Sequence, residues 1–129
     1  MKKTKKLIPI ILSAILLSAC ASSSKSIGYR QITMNEAVKM MKNEENYIIL
    51  DVRRSDEYAG GHIPGAINVA NEDISTEEIP ELPDKSQLIL VYCRSGNRSK
   101  QASEKLVKLG YTNIVEFGGI LDWTGEIEK

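Results

Sequence analysis

Residues Leu88 to Tyr92 form an unbroken apolar run that ends on Cys93, followed at once by Arg94, Ser95, Gly96, Asn97 and Arg98. A run with no alternation suits a strand buried on both faces of a parallel sheet. Its shortness, and the turn-forming Pro83, Asp84, Lys85 and Ser86 ahead of it, separate it from a buried helix. Beyond the loop, Ala102, Leu106 and Leu109 recur at helical spacing, Lys100, Glu104, Lys105 and Lys108 take the other face, and Gly110 supplies a stop. The implied unit is strand, tight loop, helix. Ligands of open α/β sheets bind outside the carboxyl ends of strands, and the unpaired N–H groups of a helix's first turn attract anions.

A thiolate is such an anion. Free cysteine titrates near 8.5 and is only a few per cent ionised at neutral pH, so a nucleophilic cysteine needs donors and cations around it. The loop amides of residues 94–98, the helix start, and the guanidinium groups of Arg94 and Arg98 all stand within five positions of Cys93. The competing structural reading is a small buried hydrophobe at a strand end.

Elsewhere the chain alternates in the same way. Thr33 with Glu36 three residues later is a capping-box signature, and Met34, Ala37, Val38 and Met41 make an amphipathic stripe, predicting a helix over 34–42. Tyr47 to Val52 predicts a buried strand. Ser55 is expected to cap a short helix through Asp56, Glu57 and Tyr58, with Asp51, Arg53 and Glu57 as a polar network bracing the strand end. His62, the only histidine, sits in the turn-rich segment 60–65 and reads as a loop side chain bonded to backbone. Residues 66–70 predict a short strand, and Ser75 with Glu78 a second capping box opening a short helix before Pro83. Residues 112–117 predict a further strand, broken by Gly118 and Gly119, before a terminal helical turn that brings Trp123 to the core. Such an alternation of strands and helices implies an α/β fold with a parallel sheet covered on both faces.

The 129 residues suit one domain once the N-terminus is set aside. Residues 1–6 are basic, 7–17 apolar, and Leu17, Ser18, Ala19 and Cys20 follow, which predicts an export signal. The last four resemble a bacterial lipobox. That resemblance implies a lipoprotein signal peptide at 1–19, a lipidated Cys20 (diacylglyceryl plus an acyl chain such as palmitate) beginning a flexible linker at 20–29, and a domain at 30–129. Acyl chains contribute about 0.8 kcal/mol per buried CH₂, so two or more hold a protein stably on a membrane. The linker's reach of roughly 15 Å would keep the site near that membrane, outside the cytoplasm. Removing residues 1–19 takes four lysines and leaves 13 basic against 17 acidic residues, a formal charge of −4, which argues against nucleic acid as a partner. With Cys20 lipidated, Cys93 is the only thiol left, and no internal disulfide can form.

Five stretches in order resemble the rhodanese-like domains: Asp51 to Arg53; Glu57 and Tyr58; Gly61 to Asn68; Cys93 to Ser99; and Gly118 to Trp123. The resemblance implies a central five-stranded parallel sheet with helices on both faces. It also implies a cysteine that takes a sulfane sulfur from thiosulfate or a similar donor and passes it to a thiophilic acceptor through a persulfide. On it, Cys93 is the catalytic nucleophile, Arg94, Ser95, Gly96, Asn97 and Arg98 bind substrate, and Asp51, Arg53, Glu57 and His62 give structural support, with no metal or organic cofactor required. Four residues separate Cys93 from Arg98, which resembles the sulfurtransferase branch; the related phosphatases have one more. Two alternatives stay open: a thiol enzyme acting on oxyanions, such as a phosphatase or arsenate reductase, and a non-catalytic docking module.

Overall fold

The computed structural model describes residues 27–129; the signal peptide and the lipidated Cys20 expected of the N-terminus lie outside them. The apolar runs become strands: β1 (Arg30–Gln31), β2 (Tyr47–Asp51), β3 (Ile67–Asn68), β4 (Leu88–Cys93) and β5 (Ile114–Gly119). Between them lie α1 (Met34–Asn43), α2 (Ser55–Ala59) and α3 (Asn97–Lys108). All strand pairs are parallel, in the order β1-β5-β4-β2-β3, so the run from Leu88 sits at the centre, as its uninterrupted apolar character demands.

Both faces are covered, and the two-residue period of a strand decides what faces which. Ile89, Val91 and Cys93 point toward α3, where they join Ala102, Leu106, Ile74, Leu82 and Tyr111. Leu90 and Tyr92 point the other way, with Ala37 of α1, Ile63, Phe117 and the half-buried Met34, Met41 and Trp123. The Thr33 cap forms as expected: its Oγ1 accepts from Glu36 N at 3.1 Å, and Glu36 Oε1 accepts from Thr33 N at 2.8 Å. At the other end of α3, a Cβ added to Gly28 would lie 2.7 Å from Val107 Cγ1, so the described chain enters beneath that helix's last turn. Among the described residues no helix is long and apolar enough to cross a membrane.

Four local expectations are corrected. No helix follows Ser75: a short 3₁₀ turn at Asn71–Asp73 lies ahead of it, and residues 74–87 cross to β4 through bends and turns. A proline disfavours the α region for the residue before it, here Ile79 and Leu82, which leaves too few residues to repay helix nucleation, and Ile74, Ile79 and Leu82 are buried without a helical stripe. Ser55 is the first residue of α2, not its cap. Arg54 precedes the helix, and its N–H donates to Glu57 Oε1 at 3.1 Å, the carboxylate three residues on. The strand predicted over 66–70 shrinks to Ile67–Asn68, because Asn68 Nδ2 turns back onto the carbonyls of Asp51 and Arg53 at 2.9 Å each. Gly118 and Gly119 do not break β5; they extend it through a shifted register, Cys93 pairing with Gly119.

Candidate active site

β3 follows β2 to one side of the sheet, and β5 follows β4 to the other. The chain therefore reverses direction between β2 and β4, and a crevice opens at their carboxyl ends. Asp51 ends β2 and Cys93 ends β4. Gly96 then caps α3 with φ +110, a conformation open to glycine at little cost, and this turns its own N–H back onto the cysteine. Gly96 N donates to Cys93 Sγ at 3.0 Å, the kind of bond an anion at that position would use. The sulfur itself is buried, with Ser99 Oγ on its other side at 3.4 Å.

The remaining loop residues divide. Arg94, Ser95 and Asn97 are exposed on the rim, and Arg94 makes no side-chain bond among the described residues. The Arg94 backbone is held from below: its carbonyl accepts from Leu121 N at 3.2 Å and lies against Gly119, where any side chain would collide. Arg98 is not a free anion-holder. Its guanidinium forks onto Glu57, Nη1 to Oε1 at 2.7 Å and Nη2 to Oε2 at 3.1 Å, and it lies within electrostatic reach of Cys93.

That fork separates what the sequence suggested was one network. Arg53 precedes α2, outside its helical periodicity, and turns to Asp51: Nη2 to Oδ2 at 2.7 Å, Nε to Oδ1 at 3.0 Å. Asp51, fully buried, also accepts from Tyr92 Oη at 2.6 Å, and Arg53 Nη2 donates to Gly61 O at 2.7 Å. This buried cluster ties the ends of β2 and β4 to the His62 turn. His62 stacks on Tyr58, ring centroids 3.8 Å apart, donates from Nδ1 to Tyr58 O at 2.9 Å, and directs Nε2 toward Glu128 Oε1 at 3.5 Å. Its bonds run to those residues, and those of the sulfur run to Gly96 and Ser99.

The hydrogen bond from Arg98 holds the Glu57 carboxyl down from 4.5 to about 2. A folded value below the unfolded one contributes stability that is complete above about pH 4.5 and lost as pH falls toward 2. The Tm gap between the wild type and Glu57→Gln is therefore expected to be open at neutral pH and to close across that window. A gap of constant size over the same range would show that the ion pair is not its source.

One residue the sequence reading passed over is Glu116. In β5 it stands between Val115 and Phe117, which both face the α1 side, so the strand period aims it toward α3, on the face of Cys93. It is 2% exposed, and its Oε2 accepts from Ser99 Oγ at 2.5 Å and from Gly118 N at 3.0 Å. The signal was there: one carboxylate inside an otherwise apolar strand.

Residues 33–126 match the family described as "Rhodanese-like domain". This chain belongs to that family. Thiosulfate sulfurtransferase PspE of Escherichia coli is 37% identical to this rhodanese-like chain over 73 residues, 57% of this chain and 70% of that protein. Among solved structures, a rhodanese with anions from E. coli superposes with a TM-score of 0.59 at 34% identity, covering 64% of this chain and 98% of the other. The rhodanese-like domain of the Anabaena protein Alr3790 gives 0.69 at 29% identity, covering 76% and 77%. The parallel five-stranded α/β architecture is thus the rhodanese fold, and the chain's relatives include sulfurtransferases.

Proposed function

We propose that this protein is a sulfurtransferase that carries a sulfane sulfur on Cys93 as a persulfide, from a thiosulfate-type donor to a thiol or other thiophilic acceptor. The observation that carries the reading is the Cys93 sulfur at the end of β4, beneath a loop whose Gly96 amide is aimed at it from 3.0 Å. In the forward step the thiolate attacks the donor's outer sulfur. A new S–S bond forms on Sγ, the donor's S–S bond breaks, and its electron pair leaves with sulfite. The acceptor then attacks the terminal sulfur and returns the thiolate. Arg94, exposed and without a side-chain partner among the described residues, is the cation positioned to meet the incoming anion. Arg98, braced by Glu57, adds field at the sulfur.

Incubating the protein with thiosulfate and weighing it intact is expected to show one added sulfur, on the peptide containing Cys93 and removable by cyanide. No addition from any sulfane donor would leave the docking-module reading. Turnover of a phosphotyrosine analogue faster than that of thiosulfate would favour phosphate chemistry.

The proposal places the domain outside the cytoplasm on a lipid carried by Cys20, on the strength of the basic and apolar segments ahead of that residue. Cys20→Ser is expected to abolish labelling from palmitate fed to the cells and to move the protein out of the membrane pellet. Unchanged labelling would refute the anchor.

A further inference from the structure

Beneath the cysteine loop lies a buried acid that the sulfur-transfer reading does not use. Ser99 Oγ lies between Cys93 Sγ and Glu116 Oε2 as hydrogen-bond partner of both, at 3.4 Å and 2.5 Å, and Cys93, Ser99 and Glu116 are 1%, 0% and 2% exposed. Ser99 Oγ also lies 3.0 Å from Gly96 O and 3.3 Å from Gly118 O. The hydroxyl has one hydrogen, and the carboxylate is both its nearest and its only charged acceptor. That places the hydrogen toward Glu116 and leaves the serine lone pairs facing the sulfur.

The surrounding groups offset the charge of Glu116 only in part: Gly118 N donates to Oε2 at 3.0 Å, and one cation among the described residues comes within ion-pair distance. Lys100 Nζ is 4.0 Å from Oε1, but it is half exposed and donates to Gly96 O at 3.2 Å. Arg98 is committed to Glu57. Tyr29, ahead of β1, lies within the field of the carboxylate and adds no positive charge. Ionising Cys93 with its proton lost to water would therefore bury a second negative charge one hydroxyl away from the first, which a low-dielectric pocket strongly disfavours.

We infer that Glu116 is a positioning residue that receives the Cys93 proton through Ser99, so that the thiol ionises without changing the net charge of the buried site. The inference rests on Cys93 being the nucleophile. In the step, the Cys93 S–H bond breaks as a proton reaches Ser99 Oγ, and the Ser99 hydroxyl proton passes to Glu116 Oε2. What remains is a thiolate accepting from Gly96 N–H and Ser99 O–H above a neutral carboxylic acid. No oxidant, reductant or co-reactant is needed. The same neutral acid accommodates the anionic persulfide after sulfur uptake.

Two coupled groups sharing one proton lose their protons in two macroscopic steps, and this shape is the test. The alkylation rate of the Cys93 peptide by iodoacetamide, followed by mass across pH in the full-length protein, is expected to rise in two steps with a plateau between them. Glu116→Gln, which keeps an acceptor for Ser99 but cannot take its proton, is expected to collapse the profile to a single step, with reactivity at about pH 6 roughly tenfold lower. A single step in the wild type would overturn the inference. So would a Glu116→Gln profile displaced to lower pH with faster alkylation, the mark of a carboxylate that only repels the thiolate. Should Glu116→Gln fail to fold, Ser99→Ala interrupts the path while keeping the carboxylate; one step supports the relay and two steps refute it. Alkylation requires no sulfane donor, so failure here leaves sulfur uptake standing, and failure of sulfur uptake leaves these profiles readable.

Discussion

Cys93→Ser is expected to leave the protein folded and unable to take up sulfur. The side chain lies at the lower edge of an apolar cluster whose bulk comes from β2, β4 and α3, so exchanging sulfur for oxygen changes little volume; a cost of about 1 kcal/mol would move Tm by only a few degrees. The chemistry has no such tolerance. A serine hydroxyl is far less acidic than a thiol, and a carboxylate reached through Ser99 is too weak a base to deliver an alkoxide to a sulfane sulfur. Intact mass after thiosulfate treatment should show no addition, and thiocyanate release with cyanide should fall to the buffer rate. Residual release above that rate would place the reacting atom elsewhere in the chain.

Gly119→Ala is expected to lower sulfur uptake about a hundredfold in a protein that still folds. Its backbone, φ −140 and ψ 158, is one that alanine adopts freely, so the effect is purely one of space. An added Cβ would stand 2.1 Å from Arg94 O and 2.5 Å from Ser95 N, backbone atoms that cannot rotate aside. The loop must lift. Overpacking of this kind costs about 1–3 kcal/mol, and a displacement on the order of 1 Å at a reacting centre can cost about a hundredfold in rate. Gly118→Ala is the contrast. It strains a backbone at φ +97 but meets nothing within 4 Å, so its effect should fall mainly on stability. Equal losses of uptake in the two variants would show that local strain, not the position of the loop, is what matters.

What the sequence revealed and concealed follows from the range of the forces involved. The central strand, the α1 cap and the strand-loop-helix unit around Cys93 are local patterns read over a few residues, and they appear as read. The segment after Ser75 misled because a capping signature is only a nucleus, and two prolines denied it a helix to cap. Arg53 and Glu57 stand four apart in sequence, yet their partners are set by tertiary placement: Asp51 for one, and Arg98, forty-one residues away, for the other. Gly118 and Gly119 look like a break when read alone. Only the backbone passing over them, at Arg94, explains why the strand continues without side chains there. Glu116 escaped notice because its significance lies in a hydroxyl on a neighbouring element, although the period of its strand already pointed it toward Cys93.

The point at which the chain joins the domain carries one more consequence. Gly28 packs under the last turn of α3, whereas Cys93 lies under the first, and the twelve residues between them span about 18 Å. The described chain therefore begins at the end of α3 opposite the cysteine loop. A group tied to Gly28 and a molecule meeting Cys93 approach opposite ends of the same helix.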